Sequence, residues 1–375
     1  MLLLFQVRAA AQGNFLLETG RVVGHVYLAD MNKRPARLAK VRLRPAGKGV
    51  RIDDSLAVQM MWSSVTTDMN GTFIIPNLRP GSYYVLVDFP GYQSDGLQFT
   101  ENELRNPTPE LLKTMEQSIP KVTVETGLTA HIEIALQRGA VINGAIRYDD
   151  GSPASGAVIR ALRKEKDGDW RDQSEDAAQA ISDDLGNFRL SGLRAGKFIV
   201  KCSLQTVIDQ EGYATPENHL PTALAIGQKV TLDIYSGGGF RPKDAKVIEL
   251  RSGEEITGVD AVVPLGKLHG VAGSITSFED GHSLDFGNVE LLFADDNTKF
   301  AETQVLRDGS FQFPLVPEGE YVLKVNASDV DYLGPGSSYS LQKAYEETRQ
   351  PVTVSKDGEN IVIQLKARST QAPSS

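Results

Sequence analysis

Few residues of this 375-residue chain have the type and spacing for chemistry. A zinc hydrolase would need a His-x-x-Glu pair and a third, distant ligand around an open coordination position. The five histidines are His25, His131, His219, His269 and His282, and no glutamate stands three residues after any of them. His131 and Glu133 lie two apart, so on a strand they share a face and read as solvent-exposed neighbours alternating with Ile132 and Ile134. The single cysteine, Cys202, excludes an intrachain disulfide and a Cys-based zinc site, and it reads as a small buried side chain rather than a nucleophile. No nucleophile elbow or phosphate loop occurs. "SGGGF" at 236 lacks the Lys-Ser/Thr of a phosphate loop and reads as a flexible loop. The sequence therefore predicts no enzyme, no cofactor and no metal.

Binding is the other chemistry to weigh. Trp62 and Trp170 are the only tryptophans and the candidate platforms for a sugar ring. They stand at different distances before glycines that otherwise correspond, Gly71 and Gly186, and only Phe300 lies in the comparable stretch before Gly309. A sugar site shared by all three stretches is thus disfavoured. Asp68 and Asp183 sit three residues before their glycines, where a carboxylate can accept bonds from the turn's own amides. The third stretch has Leu306 there and Asp308 beside the glycine, so the carboxylates do not form one recurring metal ligand set.

These residues sit in a repeat. "DMNGTFIIPNLRPGSYYVLV" at 68, "DDLGNFRLSGLRAGKFIVKC" at 183 and "LRDGSFQFPLVPEGEYVLKV" at 306 align on Gly71, Gly186 and Gly309. Phe73, Phe188 and Phe311 stand two residues on, then a second glycine at Gly81, Gly196 and Gly319, then Tyr83, Phe198 and Tyr321. Apolar residues alternate with polar ones on both sides, which is the pattern of two strands with one buried face. Upstream, "VVGHV" at 22, "INGAI" at 142 and "VAGSI" at 271 match one another, and "PARLAKVRL" from Pro35 matches "PASGAVIRA" from Pro153. Each copy amounts to about seven short strands. The spacing of the turn glycines suits a whole β domain, not a solenoid repeat of roughly 20 to 50 residues.

The expected fold is therefore all-β: three tandem seven-stranded antiparallel Greek-key β-sandwiches over 20–137, 138–266 and 267–366. Residues 1–19 form a signal-like or disordered start and 367–375 a disordered tail. "PELLKTMEQS" at 109 is the one strong helix. The long segments 88–121, 203–245 and 326–350 are read as mobile excursions between late strands.

Charge and composition narrow the partners. A net charge of −9 disfavours nucleic acid. The basic run between Met31 and Ile52 reads as the solvated face of a strand and its loops. No apolar stretch approaches the roughly 20 residues needed to cross a bilayer. "MLLLFQV", with small residues after it, looks like the end of a secretory signal.

The combination of G-x-V/I in the first strand, "PASGAVIRA", and D-x-x-G-x-F…L-x-P-G-x-Y-x-V at 68–85 resembles the carboxypeptidase regulatory-like domain family, with its prealbumin-like and collagen-adhesin B-type relatives. The resemblance implies a transthyretin-like sandwich in an exported protein, acting as spacer, docking surface or folding aid without chemistry of its own. Adhesin relatives carry Lys-to-Asn/Asp crosslinks. Here Lys40 falls between Ala39 and Val41 in the phase that points outward, which argues against one. The reading is a monomeric, non-catalytic array at the cell envelope or in secreted material, with an unknown protein or polysaccharide partner. The alternative is a carbohydrate- or peptide-binding module using the long segments between strands.

Overall fold

The computed structural model describes residues 19–29, 32–46, 64–93, 107–165, 167–172, 179–208, 228–332, 339–356 and 359–368. The first stretch comprises β1 (Gly20–Leu28), β2 (Lys40–Pro45), β3 (Ser64–Thr66), β4 (Thr72–Leu78), β5 (Gly81–Asp88), α1 (Pro109–Ser118), β6 (Lys121–Val124) and β7 (Thr129–Leu136). Its strands form two sheets, β4-β1-β7 and β3-β2-β5-β6. Alternation does the folding: Val22 and Val26 of one sheet meet Val41, Leu43, Val85 and Val87 of the other in a dry core, while Lys40 points out.

The second stretch contains β8 (Ala140–Tyr148), β9 (Val158–Lys164), β10 (Trp170–Asp172), β11 (Gln179–Ile181), β12 (Asn187–Leu193), β13 (Gly196–Ile208), β14 (Gln228–Tyr235), β15 (Ile248–Leu250), β16 (Glu255–Ile256) and β17 (Ala261–Val263). The third has β18 (Leu268–Ser277), β19 (Phe286–Phe293), β20 (Lys299–Gln304), β21 (Ser310–Pro317), β22 (Gly319–Tyr332), β23 (Tyr339–Ala344), β24 (Thr348–Val354) and β25 (Glu359–Leu365). Each again closes two sheets over its own apolar cluster, so the chain is all-β with β-sandwich architecture. Val41, Ile159 and Val289 occupy matching, fully buried positions.

Two features differ from expectation. The first strand of each stretch pairs in parallel with the end of that stretch, β1 with β7, β8 with both β16 and β17, and β18 with β25, whereas the other pairings are antiparallel. The long segments are also not loops throughout. β13 runs on to Ile208 and pairs with β14, and β22 runs on to Tyr332 and pairs with β23, so much of 203–245 and 326–350 is β-hairpin. Buried apolar positions continue into these extensions, with Ala327 and Val330 buried in β22 and Leu204 of β13 packed against the second core.

In the first sandwich the excursion carries α1. The Thr108 hydroxyl caps it by accepting from the Leu111 amide at 3.2 Å, and Pro109 starts it without losing a useful donor. Met115 and Ile119 then cover Tyr84 and Leu86 on the outer face of the larger sheet. Among the described residues no helix is long and apolar enough to cross a membrane.

Candidate functional site

The repeated motif residues are distributed over the three cores rather than gathered at one place. Asp68 Oδ1 accepts from the amides of Asn70 and Thr72, both at 2.8 Å, and Asp183 Oδ1 from those of Leu185 and Asn187 at 3.0 and 2.7 Å. Asp308 does the same from one residue before its glycine, accepting from the Ser310 amide at 2.9 Å. The amide of Asn187 in particular holds the Asp183 carboxyl below its ordinary range. Gly71, Gly186 and Gly309 turn with φ of 76°, 77° and 79°. Phe73, Phe188 and Phe311 are buried, as are Tyr83, Phe198 and Tyr321 behind Gly81, Gly196 and Gly319. The hydroxyls of Tyr83 and Tyr321 each donate to the carbonyl four residues back, of Arg79 at 2.8 Å and Pro317 at 3.0 Å. Cys202 is 1% exposed, and burial pushes its thiol up to about 12, so it stays protonated.

The chemically richest place lies where the second stretch meets the third. The outer face of the second sandwich's larger sheet carries a second apolar patch, Leu162, Ile199 and Tyr235, against which Trp170 and Ala245 pack. Residues 236–247 fold over it. The Tyr235 amide donates to the Gly239 carbonyl at 2.8 Å, the Ser236 hydroxyl to the Lys246 carbonyl at 2.7 Å, and Pro242–Asp244 form a 3-10 turn. The glycine-rich segment is a loop, as read from the sequence, and these hydrogen bonds make it a brace. The glycines permit the tight reversal, and the ring of Pro242 fixes the backbone where the 3-10 turn begins.

The brace holds the next sandwich. Arg241 bonds Asp244 at 2.7 Å and Asp295 at 2.6 Å, and its guanidinium lies 4.3 Å from the centre of the Phe293 ring. Lys243 bonds Asp295 at 2.8 Å and also Asp296. Lys243 holds both aspartates below the ordinary carboxylate range, and they in turn raise its own value. Phe293 packs tilted on Tyr321 at 5.3 Å and edge-on to Phe300 at 5.6 Å. Phe300, Leu268 and Leu315 also pack against the second core. At the connection itself, the Gly266 amide donates to Asp149 Oδ2 at 3.1 Å and the Glu318 amide to the Lys267 carbonyl at 2.9 Å.

Two clefts flank Arg241. One of about 510 Å³ runs between Phe240, Phe293 and Tyr321. The other, about 350 Å³, is lined by Trp170, Tyr235, Phe240, Phe293 and Phe300, with Thr231, Asp233, Lys243, Asp296, Thr298 and Lys299 around them. Of the two tryptophan candidates, Trp170 therefore lines a cleft, and Trp62 lies outside the described residues.

A second polar cluster sits in the third sandwich. His282 contacts Asp280 through Nδ1 at 2.5 Å and both oxygens of Asp329 through Nε2 at 3.1 Å. The Tyr345 hydroxyl donates to Asp329 at 2.8 Å. Asp280, then Asp329, raise the imidazole above its ordinary value, and His282 draws Asp280 down to about 2. The cluster ties the 278–285 connection to β22 and to the residue after β23. Among the described residues no group of three His, Cys, Asp or Glu side chains is placed to hold a metal ion.

Sequence reasoning missed Arg241, Lys243, Phe293, Asp295 and Asp296, because a contact between positions 241 and 295 leaves no periodic trace. The only signals were the paired Asp295–Asp296 turn and the Arg-Pro-Lys-Asp run at 241.

No protein-family model matches the chain, and no curated protein matches it by sequence. Solved structures similar to it include the Bacillus anthracis TIE protein, at 15% identity and a TM-score of 0.22, covering 94% of this chain and 51% of that one. The chain thus spans about half that protein's length. Similar too are a Streptococcal ancillary pilin (12% identity, 94% and 99% covered, TM-score 0.29) and the major pilin subunit of Bacillus cereus (10%, 93% and 99%, 0.21). What defines the fold is the pairing of sheets within the chain itself.

Proposed function

We propose that this chain is an exported, non-catalytic array of three β-sandwich modules, with boundaries near residues 137 and 266, serving as an interaction or spacer segment at the cell envelope or in secreted material. The observation that carries this is the brace of Arg241 and Lys243 on Asp295, Asp296 and Phe293. A spacer must hold its modules at a set angle, and a bare linker would not. Exposed ion pairs contribute only about 0–1 kcal/mol each, so the stiffness comes from their networking over a packed aromatic cluster. The residues able to do chemistry are occupied in building: Asp68 and Asp183 cap turns, and Cys202 fills a core.

Calorimetry tests the brace. The second and third modules of the wild-type chain melt in one coupled transition, and Arg241→Ala/Lys243→Ala separates it into two. Identical profiles for both proteins would contradict the reading.

A second reading, a carbohydrate- or peptide-binding module, is favoured by one observation: the aromatic cleft beside the brace.

A further inference from the structure

Resting on that second reading, we propose that the cleft beside the brace binds an uncharged oligosaccharide, with Trp170 as its stacking platform. The cleft's volume of about 350 Å³ falls within the range of small-ligand sites, where apolar walls carry a few polar groups. Trp170, Phe240 and Phe300 are each half-buried, so their rings are anchored yet partly open. Leu162, Ile199 and Tyr235 support Trp170 from the sheet, and Lys164 Nζ sits 5.4 Å from its ring centre. A ring fixed in advance loses little entropy when a flat, C–H-lined pyranose face packs on it.

The charges select for a neutral ligand. Asp233 is bonded to Lys201 at 2.6 Å and to the Ser203 hydroxyl at 2.6 Å. Lys299 is bonded to Glu302 at 2.7 Å, and Arg241, Lys243 and Asp296 belong to the brace. With every formal charge of the lining already matched, neither an anion nor a cation gains a free partner. The carboxylates keep lone pairs for sugar hydroxyls, Thr231 also lines the cleft, and the Thr298 hydroxyl, which donates to Asp296 at 2.6 Å, can still accept. A peptide binding through its backbone would need an open strand edge. β14 is the edge strand of its sheet, but Thr231, Asp233 and Tyr235, which line the cleft, share one face of that strand, so a ligand there meets side chains and not the strand's free backbone edge.

The test uses the full chain carrying Trp62→Phe, which leaves Trp170 as the only indole. Its emission is titrated with neutral hexasaccharides of β-1,4-glucose, α-1,4-glucose, β-1,4-mannose and β-1,4-N-acetylglucosamine, and in parallel with pooled decapeptides. A saturable change with at least one saccharide is expected. In the otherwise wild-type chain, calorimetric affinity for that saccharide falls about tenfold with Trp170→Ala and also with Thr231→Arg, at an exposed position, both variants keeping the wild-type urea midpoint. Saccharide binding that survives both substitutions overturns the site. Peptide binding without saccharide binding overturns the ligand class while leaving the second reading standing, and a response to neither overturns both.

Discussion

Gly24 lies directly opposite Phe73 across β1 and β4, and the Phe73 ring occupies the space that a side chain at Gly24 would need. The pair recurs as Gly144 with Phe188 and Gly273 with Phe311, where an added Cβ would fall 2.7 and 2.5 Å from the ring tip. At Gly24 the glycine of the first strand is thus a socket for the phenylalanine, linking two motifs nearly fifty residues apart, whereas at Gly144 and Gly273 the carbonyls of Val259 and Ile361 would lie closer still to an added Cβ. Gly24→Ala should cost about 1–3 kcal/mol by overpacking and Phe73→Ala about 3–5 by leaving a cavity. Because all close atoms around Gly24 are side-chain atoms, the double variant should cost at least about 1 kcal/mol less than the two together. Strict additivity in urea unfolding would dissolve the socket.

The turn glycines act through the backbone instead. Gly186 has φ +77° and an added Cβ would strike the Ile146 carbonyl, whereas Gly258 has φ +74° with nothing within 4 Å. Gly186→Ala is expected to cost about 2–4 kcal/mol, combining left-handed strain with the clash, and Gly258→Ala only about 1. Equal losses would mean that conformation alone fixes the turn.

The His282 cluster makes stability depend on pH. The groups facing the imidazole are Asp280 on its own connection, Asp329 on β22, and Tyr345 after β23, with Glu279 and Lys343 joined to the same cluster. The native value of His282 is raised, so its contribution is full below about pH 6.5, the ordinary unfolded value, and lost as pH rises through the native one. Asp280 runs the other way: its contribution is present above about pH 4 and lost as pH falls through about 2. The stability advantage of wild type over His282→Gln in urea is therefore larger at pH 6 than at pH 9. An advantage that does not change between the two would remove His282 from the account.

How much of this the sequence reveals depends on distance along the chain. The period-two set Tyr83, Val85, Val87 and Phe198, Val200, Cys202, and the Asp-to-glycine turns, are local patterns, so the all-β sandwich is legible from them, whereas the cover that buries Tyr84, Leu86 and Ile199 on the opposite face comes from distant segments. The helix at Pro109–Ser118 is equally local, announced by Thr108 and Pro109. The continuation of β13 into 203–208 escapes notice because its partner, β14, begins only at Gln228. The brace is invisible for the same reason: Arg241 has meaning only beside Phe293 and Asp295, which lie on another sandwich.

The central claim is that the second and third modules are held at one angle, and a distance between spin labels measures this most directly. Ser155 and Ser355 are exposed positions, one on each sandwich, for labelling as Ser155→Cys and Ser355→Cys; the buried, protonated Cys202 takes no label. Pulsed dipolar spectroscopy should give one narrow distance distribution in the braced chain and a broad one once Arg241→Ala and Lys243→Ala are added. A distribution already broad with the brace intact would contradict the account.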